Sequence, residues 1–265
     1  MTQTPLPPLI GMVHVGALPG TPRATHAMAD LVRTAVIEAR TLVDAGFPAV
    51  LIENMHDAPY LRRTVGPEIV AGMTRIGAAV REAVDVPLGV QILAGDNRAA
   101  LATALAVGAT FIRAEGFVFA SIADEGLLDE ADAGPLLRYR RAIGAGDVRI
   151  LADIKKKHSS HAVTADVDLA ETAAAAAFCG ADGVIVTGVA TGRPTDPNDL
   201  RAVRLAYDGP LLVGSGVTPA TVGPLLAHAD ALIVGSACKI DGRWTNPVDP
   251  ARARAIVKAG EDARA

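Results

Sequence analysis

The sequence is poor in aromatic residues and has no excess of positive charge. Aromatic residues make up 3% of the 265 residues, and the formal net charge is −4. Proteins that bind nucleic acid combine basic patches with stacking aromatic side chains, so this composition argues against a nucleic-acid partner. A negative net charge also gives the chain no general affinity for anionic membranes.

The chain has few cysteines and no long apolar segment. Cys179 and Cys238 both lie in apolar runs, so we predict buried thiols without a disulfide framework or a zinc-binding pattern. No uncharged apolar run reaches the ~18 residues that a membrane span needs. The first residues, MTQTPLPP, lack the basic and apolar regions of a signal peptide. We therefore expect a cytoplasmic protein without stable membrane insertion.

Short apolar segments alternate with helical patterns along the whole chain. The apolar segments predict eight strands, at Leu9–Val15, Ala49–Asn54, Leu88–Leu93, Thr110–Ala114, Val148–Lys155, Gly183–Gly188, Leu211–Gly214 and Ala231–Gly235. The other segments predict helices, at Met28–Asp44, Pro67–Val84, Arg98–Val107, Ala131–Ile143, Leu169–Phe178, Pro197–Tyr207, Pro219–His228 and Asp249–Ala259. Apolar strands separated by helices are typical of a parallel sheet covered on both faces. Eight such units predict an α/β fold, a single (β/α)8 TIM barrel over residues 1–265 with residues 1–8 as a short tail.

The stretch Pro210–Pro247 carries the most specific local signal. Its two short apolar runs, Leu211–Val213 and Ala231–Val234, are each followed by Gly-Ser, and Thr218-Pro219 is a good helix start. Turns without bulky side chains can direct several backbone N–H groups at one anion, often after strands seven and eight of a TIM barrel. We predict a phosphate site made of Gly188, Gly214, Gly216, Gly235 and Ser236. The alternative is that these glycines serve only tight turns.

Ionisable and amide side chains end the first five strands, where a TIM barrel carries its active site. Residues two apart on a strand share a face, so Arg113 lies with Glu115, and Asp153 with Lys155. A charge on the outer face would be buried against helices at a cost, so we expect both pairs to face the barrel mouth. The predicted catalytic residues are Glu53, Asp153, Lys155 and His158. The predicted substrate-binding residues are His14, Gln91, Arg113, Glu115 and Thr187.

Each of these assignments has a structural alternative. The alternatives are an Asp153–Lys155 ion pair, a Glu53 that holds the Asn54–Tyr60 loop, a His14 satisfied in the core, and mutual pairing of Arg113 with Glu115. The carboxylates and His158 could bind a divalent metal, but no ligand spacing requires one, so we predict no metal and no other cofactor.

The longest connection between a strand and a helix is Glu115–Glu130. A long loop on this side of a barrel usually covers or shapes the active site. Within it, Asp124-Glu125-Gly126 is either a lid contact or a solvated turn, and we favour the solvated turn.

Several motifs together resemble the BtpA/SgcQ family. They are Ile10–His14, Leu18–Arg23, Glu53–Pro59, Leu137–Arg141, Ala152–His158, Thr187-Gly188, Val234–Lys239, Asp241-Gly242 and Asn246–Asp249. The resemblance extends from about Leu9 to Val257. It implies a TIM barrel of the ribulose-phosphate-binding type, in a family with members named for photosystem I biogenesis and others grouped with sugar metabolism. It carries no catalytic role to any single residue.

Three functions are compatible with these observations. The first is an enzyme that acts on a small phosphorylated, sugar-phosphate-like metabolite by isomerisation, epimerisation or aldol-type cleavage, through acid–base chemistry. The second is an aldolase that forms a Schiff base at Lys155, although Asp153 favours a charged lysine. The third, suggested by the family name, is a non-enzymatic biogenesis factor for a membrane complex. We also expect a homo-oligomer, because such barrels often self-associate.

Overall fold

Eight parallel strands close into a barrel in the computed structural model, which describes residues 5–155, 159–188 and 195–264. In chain order the strands of the described residues are β1 Leu9–His14, β2 Val50–Glu53, β3 Leu88–Gln91, β4 Phe111–Ala114, β5 Ser121–Ala123, β6 Gly126–Leu128, β7 Arg149–Ile154, β8 Ser159–Ser160, β9 Gly183–Val186, β10 Leu211–Gly214 and β11 Ala231–Val234. The barrel order is β1-β2-β3-β4-β7-β9-β10-β11, and β11 pairs with β1 to close it.

A helix follows each barrel strand within the described residues. The helices are α1 Met28–Asp44, α2 Pro67–Ala83, α3 Asn97–Val107, α4 Ala133–Ala142, α5 Leu169–Phe178, α6 Pro197–Ala206, α7 Pro219–Leu226 and α8 Pro250–Asp262. The predicted TIM barrel is therefore confirmed, and every predicted strand and helix overlaps an observed one. The largest shift is at the end of α8, which continues to Asp262.

The barrel interior is filled by apolar side chains that alternate along the strands. Inward-facing residues include Met12, Leu51, Phe111 and Leu151, all buried, while the intervening residues pack under the helices. Gly89 makes room for the largest of them, because a Cβ at this position would lie 2.1 Å from the Phe111 ring. The interior thus forms an apolar floor below the carboxyl ends of the strands.

A small antiparallel sheet combines two strands of the long connection after β4 with β8, which follows β7. Strand β5 pairs with β6 to form a hairpin, and β8 pairs with the other edge of β5. The turn of the hairpin is Asp124-Glu125, between the paired residues Ala123 and Gly126. These strands are too short to show an alternating pattern, so the sequence indicated only a loop.

The connection between β11 and α8 is long and contains short helical turns. Two 3₁₀ turns, Ser236–Cys238 and Ile240–Gly242, precede α8, which begins only at Pro250. The helix is capped by Asp249, whose side chain accepts from the backbone N–H groups of Ala251 and Arg252. A long excursion therefore lies beside the barrel mouth.

The two cysteines differ in burial. Cys238 is buried as predicted, and burial raises the pKa of its thiol to about 12. Cys179 is only partly buried, because it follows the last turn of α5. Among the described residues, none of the helices combines the length and the apolar character that crossing a bilayer requires.

Candidate active site

Polar side chains form a layer directly above the apolar floor. The strand register pairs His14 with Glu53 and Glu53 with Gln91 across β1, β2 and β3. Each stands two positions after an inward-facing residue, so strand alternation directs it to the interior. All three are at least nine-tenths buried. The first three strands therefore place a histidine, a carboxylate and an amide side by side.

A cavity of about 310 Å³ opens above this layer, a size typical of small-molecule sites. Ten of the residues predicted for the site line it: His14, Glu53, Gln91, Arg113, Glu115, Asp153, Gly214, Gly216, Gly235 and Ser236. The structure thus brings the charged residues of the early strands and the glycines of the late strands to one cavity. Their individual roles stay predictions.

The His14 ring presents a defined nitrogen to the cavity. Its Nδ1 lies 3.0 Å from the carbonyl oxygen of Trp244. Because a carbonyl oxygen only accepts, Nδ1 carries a proton, and Nε2 is the atom of the neutral ring that can take up another. Nε2 lies 3.8 Å from Oε2 of Glu53, within ion-pair distance. His14 and Glu53 can therefore act as a coupled acid and base.

Arg113 and Asp153 form a buried bidentate ion pair. The guanidinium donates from Nε to Oδ2 at 3.0 Å and from Nη2 to Oδ1 at 3.2 Å. Burial lowers the pKa of Arg113, but Asp153 and the nearby carboxylates of Glu53 and Glu115 raise it, and the net pKa lies above the usual value. The bidentate partner of Arg113 is thus on the neighbouring strand β7, whereas the sequence alternative paired it with Glu115.

The side-chain amide of Gln91 has one polar atom with a hydrogen-bond partner and, among the described residues, one without. Its Nε2 donates to Oε1 of Glu115 at 3.4 Å. Its Oε1 is buried and finds no hydrogen-bond donor within the part of the chain that the structure describes. Buried carbonyl oxygens are normally hydrogen-bonded, so this atom indicates a place where a ligand would donate.

The turn after β10 exposes backbone to the same cavity. Ser215 and Gly216 both have positive φ, 142° and 67°, and Gly214 through Pro219 line the cavity. The backbone N–H groups of Gly216 and Val217 have no backbone acceptor among the described residues. Thr218 precedes α7 as predicted, and its N–H donates to Oγ1 of Thr221 at 2.8 Å. The loop therefore has the form of an anion-binding turn.

Gly235 allows the His14 ring to approach the turn after β11. A Cβ at this position would lie 3.1 Å from Nε2 and 3.2 Å from Cε1 of His14. We expect Gly235→Ala to displace the ring and to change the ¹⁵N chemical shifts of His14 measured by NMR. Gly146→Ala is the control, because a Cβ there meets no atom within 4 Å. Unchanged His14 resonances in Gly235→Ala would contradict this contact.

Three predicted residues, Lys155, Thr187 and Gly188, lie outside the cavity lining. Lys155 lines a smaller neighbouring cavity together with Asp153, and its ammonium donates to the carbonyl oxygen of Val167. It follows the end of β7 with a φ of 49°, so strand alternation does not extend to it. Thr187 and Gly188 are buried and are absent from the lining formed by the described residues. His158 lies outside the described residues.

The sequence interpretation missed two aromatic residues of the site. Trp244 reaches the cavity from the excursion after β11, and its ring packs against His56 with centroids 4.9 Å apart. Tyr60 also lines the cavity and donates its hydroxyl to the carbonyl oxygen of Met55 at 2.7 Å. The other candidates were selected because they end a predicted strand, and neither Trp244 nor Tyr60 does. Trp244 could have been selected only because it is the sole tryptophan of the chain.

Charged residues also lie at the rim of the cavity. Asp124 and Glu125 of the hairpin turn line it, while Asp124 and Gly126 are exposed to solvent as expected. Arg252, in the first turn of α8, lines the cavity and donates from Nε to the carbonyl oxygen of Ala237 at 3.0 Å. It brings a cation next to the Gly235–Ala237 turn.

Asn54 and Asp57 hold the Asn54–Tyr60 loop by hydrogen bonds. Asn54 accepts from the backbone N–H of Leu93 at 2.7 Å and donates to Asp57 at 2.8 Å. Asp57 accepts in turn from the backbone N–H of Leu18 at 2.8 Å. These bonds join the loops after β1, β2 and β3, and Glu53, at the end of β2, lines the cavity.

A buried ion pair fixes the excursion that carries Trp244. Nζ of Lys239 lies 2.6 Å from Oε2 of Glu38 on α1, and the backbone N–H of Val248 donates to the other carboxylate oxygen at 3.1 Å. Lys239 is 1% exposed. Burial raises the pKa of Glu38 and lowers that of Lys239, while the attraction between them opposes both shifts. The pair therefore anchors both ends of the excursion to α1.

The carboxylates of the cavity do not converge into a recognisable metal site. Among the described residues, no group of three or more histidine, cysteine, aspartate or glutamate side chains is close enough to hold a metal ion. His158 falls outside this comparison.

Solved structures with the same architecture include thiamine phosphate pyrophosphorylase from Pyrococcus furiosus. It is 16% identical, each chain is covered to 98%, and the TM-score is 0.61. The N-acetylmannosamine-6-phosphate 2-epimerase from Clostridium perfringens is 14% identical over 87% of this chain and 86% of that one, with a TM-score of 0.53. At these identities the likeness shows the fold alone.

Sequence relatives cover almost the whole chain. An uncharacterized mitochondrial protein of Caenorhabditis elegans is 43% identical over 257 residues, 95% of this chain and 92% of the relative. Photosystem I biogenesis protein BtpA of Synechocystis is 36% identical over 253 residues, 95% of this chain and 87% of the relative. The BtpA family profile matches residues 6–262. The chain therefore belongs to the BtpA family.

Proposed function

We propose that the protein is an enzyme that acts on a small phosphorylated metabolite by acid–base chemistry. The observation that carries the proposal is the single cavity in which His14 and Glu53 face the bare turns after β10 and β11. Proton transfer beside a carbonyl, as in isomerisation, epimerisation or aldol-type cleavage, needs such a pair within reach of a positioned substrate. Thiamine phosphate pyrophosphorylase and the 6-phosphate epimerase, which share the fold, are named for phosphorylated compounds.

The phosphate is assigned to the turns at Gly214–Gly216 and Gly235–Ser236. Backbone N–H groups directed at one point, together with the start of α7, stabilise a dianion. Arg252 adds a full positive charge at the rim, which a backbone turn alone cannot supply. Gly188, predicted for the same role, is not required by this arrangement.

The reacting carbons are assigned to the layer formed by the early strands. Glu53 abstracts or returns a proton, and His14 exchanges a proton through Nε2, because its Nδ1 is committed to the Trp244 carbonyl oxygen. The Arg113–Asp153 pair fixes the wall next to them, and the other N–H groups of the Arg113 guanidinium can donate to a carbonyl or hydroxyl oxygen of the substrate.

Binding of inorganic phosphate by calorimetry tests the anion site. We expect Gly216→Val to weaken it about tenfold, because side-chain atoms obstruct the approach of the anion to the backbone. A side chain at φ of 67° also strains the backbone, so the control is Gly108→Val, at φ of 68° in the C-cap of α3. Unchanged affinity in a folded Gly216→Val protein would remove this turn from the site.

The Schiff-base alternative assigns the chemistry to Lys155. Its ammonium is hydrogen-bonded to Val167 beside the smaller cavity, which favours the acid–base assignment. Borohydride reduction in the presence of phosphorylated aldehydes and ketones distinguishes the two, and we expect no reduced adduct at Lys155. An adduct there, identified by mass spectrometry, would establish the aldolase instead.

A non-enzymatic role in assembly is the second candidate. It draws on the name of the Synechocystis relative and on two apolar side chains of the outer helices, Phe178 on α5 and Leu205 on α6, which are 92% and 91% exposed. Expression in a Synechocystis strain without BtpA separates the candidates. Recovery of photosystem I by a Glu53→Gln protein, but not by a Phe178→Ser/Leu205→Ser protein, would favour assembly over catalysis.

A further inference from the structure

Gln91, at the end of β3, carries a buried acceptor that no described residue satisfies. The residue is 1% exposed, and its Oε1 has no hydrogen-bond donor within the described ranges of the chain. The side chain lines the main cavity. A buried carbonyl oxygen without a hydrogen bond is costly, so its position indicates that the ligand brings a hydrogen-bond donor to this place.

The orientation of the Gln91 amide follows from Glu115. Nε2 of Gln91 lies 3.4 Å from Oε1 of Glu115, and an ionised carboxylate can only accept a hydrogen bond. Rotating the amide by half a turn would place two oxygens against each other. Oε1 is therefore the end of the amide that remains for the ligand.

Arg113 supplies hydrogen-bond donors beside this acceptor. The last registered pair of β3 and β4 is Val90 and Ile112. The next residue on each strand, Gln91 on β3 and Arg113 on β4, therefore lies beside the other, and both line the cavity. Two of the five N–H groups of the guanidinium donate to Asp153, and the other three have no acceptor among the described residues. An orphaned acceptor thus lies next to donors that are not used up.

The negative charge at Glu115 is accompanied by a second guanidinium, that of Arg63. Its N–H groups donate to the backbone carbonyl oxygens of Glu115 at 3.4 Å and of Gly116 at 3.2 Å. Its Nη1 also lies 3.8 Å from the carboxylate of Asp132. The carboxylate that orients Gln91 therefore does not require a cation from the ligand.

Arg113 also compensates the carboxylates of the buried layer. Burial lowers the pKa of its guanidinium, but the carboxylates of Asp153, Glu53 and Glu115 raise it, and the net pKa lies above the usual value. A ligand cation at Gln91 would lie next to this guanidinium and would be repelled by it. The ligand group that meets Gln91 is therefore expected to be uncharged.

A group that satisfies Gln91 and Arg113 together must both donate and accept hydrogen bonds. A carboxylate or a carbonyl oxygen only accepts, so it would leave Oε1 of Gln91 without a donor. An ammonium only donates, so it would leave the N–H groups of Arg113 without an acceptor. A hydroxyl brings one O–H donor, two lone pairs and no charge, and it therefore matches both residues.

We propose that Gln91 is a specificity-determining residue, which accepts a hydrogen bond from an uncharged hydroxyl of the substrate while Arg113 donates to the oxygen of the same hydroxyl. The substrate class is then a phosphorylated alcohol. This inference rests on the proposed function, which supplies the phosphate site. A Cβ at Gly214 would lie 3.5 Å from Nη2 of Arg113, so the hydroxyl site is close to the turn assigned to the phosphate. A short carbon chain therefore separates the two groups.

The test uses short alkyl phosphates of increasing chain length, whose far end carries a hydroxyl, a fluorine, an ammonium or only hydrogen. Calorimetry on the full chain should show, for at least one chain length, a hydroxyl probe that binds about tenfold more tightly than the fluorine and hydrogen probes. Fluorine is close to a hydroxyl in size but cannot donate. The ammonium probe of the same length should bind less tightly than the hydroxyl probe, because it lies next to Arg113.

Gln91→Met removes the acceptor and keeps a side chain of similar volume. It should reduce the preference for the hydroxyl over the fluorine probe to about twofold, while inorganic phosphate binds as before. Asn198→Met is the matched control, because it removes an exposed amide of α6 that is not part of the cavity lining formed by the described residues. The control should keep the wild-type preference.

The outcomes separate this inference from the proposed function. Equal affinities of the hydroxyl and fluorine probes at every chain length, with inorganic phosphate still bound, would overturn the hydroxyl assignment and leave the phosphate site in place. Tightest binding by an ammonium probe, or an unchanged preference in a folded Gln91→Met protein, would overturn it as well. Absence of phosphate binding to the wild-type chain would contradict the proposed function itself. If Gln91→Met does not fold, the comparison of probes on the wild-type chain still decides the question.

Discussion

Replacing Lys239 with methionine should lower the free energy of unfolding by about 3–5 kcal/mol, because the change leaves the carboxylate of Glu38 buried without its cation. Glu38 is 6% exposed, and its carboxylate would keep the backbone hydrogen bond from Val248. For a chain of this size the loss corresponds to a fall in Tm of roughly 10 °C, measured by calorimetry or circular dichroism.

Two variants control this measurement. Lys258→Met removes an exposed lysine of α8 and should change the stability by less than about 0.5 kcal/mol. The double variant Glu38→Leu/Lys239→Met removes both charges and should be more stable than either single variant, since apolar replacements often match a buried pair. A Lys239→Met protein as stable as the wild type would show that the pair does not anchor the excursion.

Much of the fold follows from local patterns. Apolar strands of four to six residues, separated by helices, predicted the barrel and its order, because parallel strands buried on both faces need no long-range information to be identified. The two-residue alternation of strand side chains also predicted that Arg113 and Glu115 face the barrel mouth, and both line the cavity. Strand alternation fails one residue beyond the end of β7, because the backbone of Lys155 has a positive φ and no longer follows the strand geometry.

What the sequence could not predict depends on contacts between distant residues. Arg113 has a carboxylate two positions away, yet its guanidinium pairs with Asp153, because β7 pairs with β4 in the barrel. Glu38 occupies a buried position of α1, and its partner follows about 200 residues later. Neither pair leaves a local pattern. The Glu38–Lys239 pair positions the excursion that brings Trp244 to His14.

Replacing Glu53 with glutamine should abolish most of the catalysis, by about 10²–10⁴-fold, because glutamine keeps the volume of the side chain but cannot take up a proton. Exchange of substrate C–H protons in D₂O, followed by NMR over a panel of phosphorylated aldoses and ketoses, measures this step without knowledge of the product. Phosphate affinity should change less than about twofold, because the glycine turns are untouched.

His14→Asn separates the two members of the acid–base pair. If Glu53 is the base and His14 supports it through the 3.8 Å contact, His14→Asn should retain more exchange than Glu53→Gln, and the double variant should be little worse than Glu53→Gln alone. Glu261→Gln, on the exposed end of α8, controls for a general effect of removing a carboxylate. Wild-type exchange in Glu53→Gln would remove Glu53 from the chemistry. Wild-type exchange in His14→Asn would show that the His14 ring, which is hydrogen-bonded to the Trp244 carbonyl oxygen, has only a structural role in the cavity wall.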